Sequence, residues 1–306
     1  MELLETFAAS PALFIGACAA VGLLVGSFLN VVIYRLPVMM DHALRSECAE
    51  LAAMDAASAG GVVPEEAPAK PAFNLVVPRS ACPKCKAPIT AIQNIPVVSW
   101  LALGGKCASC KTPISARYPT IELLTGIASG VVAWWFGYGL TAVAAIVFTW
   151  VLIALTFIDL DTFLLPDQLT LPLVWAGLLL SLSHPVWASG APAVTPADSI
   201  IGAAAGYLSL WSVFWLFYLL RKKEGMGYGD FKLFAAFGAW FGWKILLPII
   251  LFASLVGSVV GIWLMVRQRK GLETQIPFGP YLAGGGWLAL FFGHAVIARI
   301  FAAPAG

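Results

Sequence analysis

Apolar residues in this chain run in long blocks rather than alternating with polar ones, and the blocks are separated by short polar breaks. The first runs from about Pro11 to Tyr34, long enough for the ~20 residues that a helical bilayer crossing needs. Arg35 follows at once. From Ile121 onward the sequence is almost continuously apolar, broken at Gly137–Gly139, Asp159–Asp167, His184–Asp198, Arg221–Asp230, near Pro248 and at Arg267–Pro280. These breaks delimit seven further spans at about 121–138, 140–158, 169–186, 199–220, 231–247, 249–266 and 281–300. The pattern predicts an all-α membrane protein with about eight transmembrane helices.

Between the first two spans, residues 35 to about 120 hold nine basic and six acidic residues and no run long enough to cross a bilayer. This reads as a soluble insert, so the expected organisation is a first transmembrane helix at 1–34, an insert at 35–120 and a seven-helix membrane domain at 121–306. Within the insert, residues 56–72 (AASAGGVVPEEAPAKPA) have the composition of a flexible connector.

Composition points the same way: 60% of the 306 residues are hydrophobic and 11% charged, against about 25% charged in an ordinary soluble domain. A net charge of +2 carries no nucleic-acid footprint. Where the cations lie is more informative, because Lys and Arg flanking the spans are retained on the cytoplasmic side. With the N-terminus outside, the insert and the 159–168, 221–230 and 267–280 loops face inward and hold 15 of the 18 Lys and Arg, whereas loops 137–139 and 184–198 hold none. The N-terminal MELLETFAAS has Glu2 and Glu5 but no basic residue, so the first apolar block is expected to stay as an anchor rather than be cleaved.

The insert carries Cys82-Pro-Lys-Cys85 and Cys107-Ala-Ser-Cys110, two CxxC pairs separated by 21 residues. Two thiolates from each pair close a tetrahedral zinc shell, and cytoplasmic thiols stay reduced, so a structural zinc in a zinc-ribbon-like module is expected rather than two disulfides. Cys18 and Cys48 read as unpaired.

Acidic residues beside apolar spans are costly, which selects Glu122, Asp159, Asp161, Asp167 and Asp230. Asp159 ends the apolar run VLIALTFI. Asp161 stands about 200° further round if the helix continues, so the two cannot share one target. Asp167, after Pro166, reads as the N-cap of the next helix. Asp230 closes GMGYGD and opens the run FKLFAAFGAWFGW. Two carboxylates brought together share a proton, one acting as general base on water and the other donating to a scissile carbonyl oxygen. The chain has no GxSxG and no HExxH, and His42, His184 and His294 are scattered. A transporter using membrane-edge acids is the alternative, disfavoured because these acids lie at span ends rather than along a midplane path.

Five blocks in order, FLNVVIYRLP (28–37), NLVVPRSACPKC (74–85), NIPVVSWLALGGKCASCKTPISARYPTIE (94–122), FIDLDTFLLPDQLTLP (157–172) and GMGYGDFKLFAAFGAWFGW (225–243), closely resemble the type IV prepilin leader peptidases of the GxGD aspartyl protease group. The resemblance implies an intramembrane aspartic endopeptidase of the bacterial inner membrane, with a periplasmic N-terminus, whose substrates are type IV prepilins and type II secretion pseudopilins. It places the catalytic pair on Asp159 and Asp230. It also implies N-methylation of the new terminus with S-adenosylmethionine, although no GxGxxG loop for that cofactor is present and its binding residues stay unassigned.

Overall fold

In a computed structural model, the protein is described at residues 2–58, 73–182, 194–223, 225–268 and 276–301. The connector expected at 56–72, beyond Ser58, and the 184–193 part of the outer loop with His184 fall outside these residues. The described residues form ten α-helices and no β-strand. They are α1 (Glu2–Ala9), α2 (Pro11–Ser58), α3 (Val98–Ala102), α4 (Arg117–Phe136), α5 (Leu140–Thr162), α6 (Asp167–Leu182), α7 (Pro196–Arg221), α8 (Tyr228–Phe241), α9 (Leu246–Gln268) and α10 (Gly279–Phe301). Helices α2 and α4 to α10 occupy the eight predicted spans. Among the described residues, five helices are long and apolar enough to cross a membrane, namely α2, α5, α7, α9 with the turn preceding it, and α10, while α6 is a shorter apolar helix.

Two boundaries differ from the sequence pattern. Helix α2 does not stop at Tyr34 but continues through Pro37 to Ser58, because the polar stretch beyond Arg35 is rich in Ala, Leu, Met and Glu, which favour helix whatever their hydropathy. An Asp41–Arg45 ion pair at 2.9 Å, one turn apart, supports it. The break expected near Pro248 lies earlier, at Gly242, whose φ of 78° ends α8 before a single 3-10 turn at Trp243–Ile245. Pro248 instead sits in the first turn of α9, where its missing N–H leaves no intrahelical bond unmade.

The chain divides into two compact units, one comprising residues 1–22 and 124–306 and the other residues 23–123. The core of the first is α8, buried on every side through Phe231, Leu233, Phe234, Ala236, Phe237, Ala239 and Trp240, as expected of a helix apolar all round. Phe148 of α5 packs on Trp240 with ring centroids 4.6 Å apart. Buried donors are satisfied: Trp240 Nε1 donates to the Leu173 carbonyl at 2.7 Å, and Trp150 Nε1 to Ser129 Oγ at 2.9 Å.

Helix α7 begins at a Thr195 cap, whose Oγ1 accepts from the Asp198 amide at 3.1 Å. It then crosses α8 so closely that a Cβ on Gly202 would overlap the Gly238 carbonyl, and one on Gly206 would lie 2.6 Å from the Phe234 carbonyl oxygen. Gly202-Ala-Ala-Ala-Gly206 is a small-xxx-small stripe of the kind that lets apolar helices approach backbone to backbone. Ser199 Oγ, one turn earlier, donates to the Ala239 carbonyl at 2.6 Å across the same interface.

In the second unit, Asn30 Nδ2 donates to the Tyr118 carbonyl at 3.2 Å, tying α2 to the start of α4. Arg35 is buried and donates to the Asn74 and Pro78 carbonyls at 2.8 and 2.6 Å, with Phe73 under its guanidinium. Glu122 Oε2 accepts from the Val97 amide at 2.8 Å. Arg35 and Glu122 are therefore structural anchors within this unit.

Adding a side chain at the α7/α8 crossing is expected to separate the helices. Gly202→Val should destabilise the detergent-solubilised protein by about 2–3 kcal/mol or more, read as a lowered thermal midpoint, whereas Gly16→Ala, where nothing lies within 4 Å of the new Cβ, should leave the midpoint in place.

Candidate active site

Helix α5 continues one turn past Ile158 and ends at Thr162, with Phe163 in the left-handed region at φ 57° and its amide bonded to the Asp159 carbonyl at 3.0 Å. Because the helix persists, Asp159 and Asp161 face different ways. Asp159 is 5% exposed, while Asp161 lies on the exposed side. A carboxylate this deep in an apolar bundle requires a donor, and Asp159 has one: its Oδ2 accepts from the backbone amide of Gly279 at 2.9 Å. Gly279 is the first residue of α10, so the donor is a free helix N-terminal N–H whose dipole also favours negative charge.

Asp230 lies in the first turn of α8, with its own amide bonded to the Gly227 carbonyl at 3.2 Å. Its side chain is 7% exposed, and Oδ1 is buried with no hydrogen-bond partner among the described residues. Leu165, in the connection between α5 and α6, bridges the two positions: it lies 3.2 Å from where a Gly279 Cβ would stand and its Cβ 2.5 Å from where a Gly229 Cβ would stand. Three chain segments thus converge on one buried pair of carboxyl groups.

The other shortlisted acids go elsewhere. Glu122 is held by the Val97 amide in the second unit. Asp167, expected as an N-cap, is the first residue of α6, and its carboxylate instead accepts from Lys232 Nζ at 2.6 and 2.7 Å. That ion pair ties α6 to α8 two residues beyond Asp230. Neither Lys232 nor Gly279 stood out in the sequence. The available signal for Gly279 was Pro277-Phe-Gly-Pro280, a glycine between prolines at a helix start. Nothing marked Lys232 apart from its being a lone cation in an apolar run.

The four cysteines of the insert come together, with all four Sγ atoms within 4.8 Å of one another, and can hold a metal ion. Cys82 and Cys110 are 3.8 Å apart and Cys85 and Cys107 4.0 Å. The two CxxC segments are structural copies. The Cys82 amide donates to Ala87 and the Cys107 amide to Thr112, the Lys86 amide returns to Cys82 and the Lys111 amide to Cys107, and Lys86 and Lys111 both take a left-handed φ, 60° and 58°. The short bridges Ala81–Pro88 and Lys106–Pro113 close each loop. Hydrogen bonding with the Thr112 hydroxyl and amide pushes the Cys110 thiol down to about 6, favouring the thiolate a metal requires. Cys18 and Cys48 are free and stand apart from this cluster.

Residues 20–136 match the bacterial peptidase A24 N-terminal domain, and residues 146–262 match the type IV leader peptidase family. Among similar proteins, the prepilin leader peptidase/N-methyltransferase of Aeromonas hydrophila is 49% identical over 294 residues, 96% of each chain. The proteins of the same name from Stutzerimonas stutzeri and Pseudomonas putida are 48% and 44% identical over 298 residues, 97% of each chain. No solved structure matches the chain. With five apolar helices of membrane-crossing length, this kinship makes the chain a multi-pass membrane protein.

The Asp167–Lys232 pair is half-exposed at its acidic end, so a double-mutant cycle with Asp167→Asn and Lys232→Met should give a coupling of only about 0.5–1 kcal/mol in unfolding free energy.

Proposed function

The chain belongs to the type IV leader peptidase family, and we propose that it removes the leader peptides of type IV prepilins and pseudopilins with Asp159 and Asp230 as the catalytic pair. The observation that carries this reading is that Leu165 lies against both Gly229, next to Asp230, and Gly279, whose amide binds Asp159, so that two buried carboxyl groups meet in an apolar helix bundle, one anchored by an amide and the other carrying an unpartnered oxygen. Two buried carboxyl groups brought together share one proton.

The reaction follows from that sharing. The ionised carboxylate takes a proton from water as its oxygen attacks the scissile carbonyl carbon, and the protonated carboxyl gives its proton to the carbonyl oxygen. A neutral gem-diol results, and the pair has exchanged roles. Collapse of the diol returns a proton to the leaving amine and breaks the C–N bond. Neither a covalent intermediate nor a metal is needed for these steps. The exposed face of Asp161 and the ion pair of Asp167 leave both outside the chemistry.

The four thiols fit zinc. Sulfurs around an ion with ~2.3 Å bonds form a tetrahedron with edges of about 3.8 Å, and the Cys82–Cys110 and Cys85–Cys107 sulfurs stand 3.8 and 4.0 Å apart. Cys82, Cys85, Cys107 and Cys110 would complete the shell with no position left for water, so zinc would supply closure of a small module rather than catalysis. N-methylation of the new amino terminus from S-adenosylmethionine is proposed from the activity that the relatives are named for. The family resemblance supports an inner-membrane location, and the distribution of Lys and Arg supports a periplasmic N-terminus.

With purified protein and a prepilin in detergent, Asp159→Asn and Asp230→Asn should each lower cleavage by about 10²- to 10⁴-fold or more, while Asp161→Asn stays within about threefold of the parent, a change of the size usual for an exposed surface position. Cleavage at the parental rate by either of the first two would refute the assignment. Elemental analysis of the reduced protein should find one zinc per chain, lost when Cys82 and Cys110 are both changed to Ser.

A further inference from the structure

The two carboxyl groups are not equivalent. Asp159 Oδ2 receives the Gly279 amide at 2.9 Å, at the start of a helix that runs from Gly279 to Phe301, so both the hydrogen bond and the aligned peptide dipoles stabilise an anion there. Asp230 Oδ1 is buried and receives nothing among the described residues. An ionised carboxylate with a dry, unpartnered oxygen bears the full cost of desolvation, whereas a protonated carboxyl bears far less. The nearest cation in sequence, Lys232, is engaged by both oxygens of Asp167.

We propose that the backbone amide of Gly279 holds Asp159 as the charged member of the pair, so that the shared proton resides on Asp230 before substrate is cut. This deepens the peptidase reading and rests on it for its catalytic consequence. Asp159 is then the base that activates water, and Asp230 the acid that protonates the scissile carbonyl. Gly279 is a positioning residue acting through Asp159. Only glycine suits it, because a Cβ at 279 would stand 2.6 Å from Asp159 Oδ2 and 3.1 Å from its Cγ. A methyl group there presses the carboxylate away from the amide, and Leu165 Cδ2, 3.2 Å from the new Cβ, leaves little room for the backbone to shift instead.

The experiment uses the full chain in detergent and reads both kinetics and infrared difference spectra. Gly279→Ala is expected to lower kcat roughly tenfold to hundredfold, the range for loss of one hydrogen bond to a charged group, with KM within about threefold because substrate contacts are untouched. Replacing residue 279 by glycolic acid, which exchanges the amide N–H for an ester oxygen without adding a side chain, should give the same kcat loss and covers the case in which the alanine variant does not fold. Gly284→Ala, on the same helix with nothing within 4 Å of its Cβ, should change neither parameter.

At neutral pH the protonated-carboxyl C=O stretch should disappear in Asp230→Asn and persist in Asp159→Asn. In the Gly279→Ala background, Asp159→Asn should also remove part of that band. The inference is overturned if the band follows Asp159 instead, if the ester variant turns over like the parent, or if Gly284→Ala loses as much kcat as Gly279→Ala. Failure of the peptidase reading is distinct: Asp159→Asn and Asp230→Asn would then still cleave, whatever the bands show.

Discussion

The membrane-embedded half of this protein is organised around the cost of placing two carboxyl groups in an apolar interior. Neither Asp159 nor Asp230 can remain where it is as an unsupported charge. The chain meets that cost with a helix end: α10 begins where its first free amide can donate to Asp159. Asp230 stands in the first turn of α8, the helix end at which an acidic side chain is best tolerated. Helix termini are usually kept at the bilayer surface, where water satisfies their orphan groups. Here two of them are used inside the packing instead.

That arrangement makes demands on the helices behind it. Helix α8 has 14 residues, about 21 Å at 1.5 Å per residue, too short to cross a hydrocarbon core of about 30 Å alone. It is held as the centre of its unit by α7 on one side, through backbone contact at Gly202, Gly206 and Gly238, and by α6 on another, through Trp240 and the Asp167–Lys232 pair. Small residues at one crossing, an indole bond and an ion pair together fix a short helix whose first turn carries Asp230. Displacement of any of them would move that carboxylate relative to Asp159.

The cysteine module follows a different logic. It is too small to stabilise itself by burial, and four of its exposed apolar side chains, Val76, Ile92, Val98 and Leu101, are each more than 60% exposed. Order there comes from local hydrogen bonding, repeated in both CxxC loops with the same left-handed lysine after the second cysteine. The loops present four sulfurs at one point, so a single ion can supply the cross-link that a core supplies elsewhere.

Hydrophobic block length, the position of polar breaks and the spacing of cysteines are local properties of the chain, and they sufficed for the helical membrane class, the order of the apolar helices and the thiol cluster. The same local signal shortlisted five acids, because an acid at the edge of an apolar run is conspicuous wherever the chain goes, and the family resemblance narrowed them to Asp159 and Asp230. What the sequence could not show depends on which distant segments meet. The bond from Gly279 to Asp159 spans 120 positions, the Asp167–Lys232 pair spans 65, and the fate of Asp167 turned on α8 lying beside α6 rather than on its own cap. The persistence of α2 beyond Tyr34 was hidden for the opposite reason: hydropathy marks where a helix leaves lipid, while helix propensity decides where it ends. The difference in partners between the two carboxyl groups belongs to the tertiary structure alone, since it arises from a backbone amide, which every residue but proline carries and no sequence pattern distinguishes.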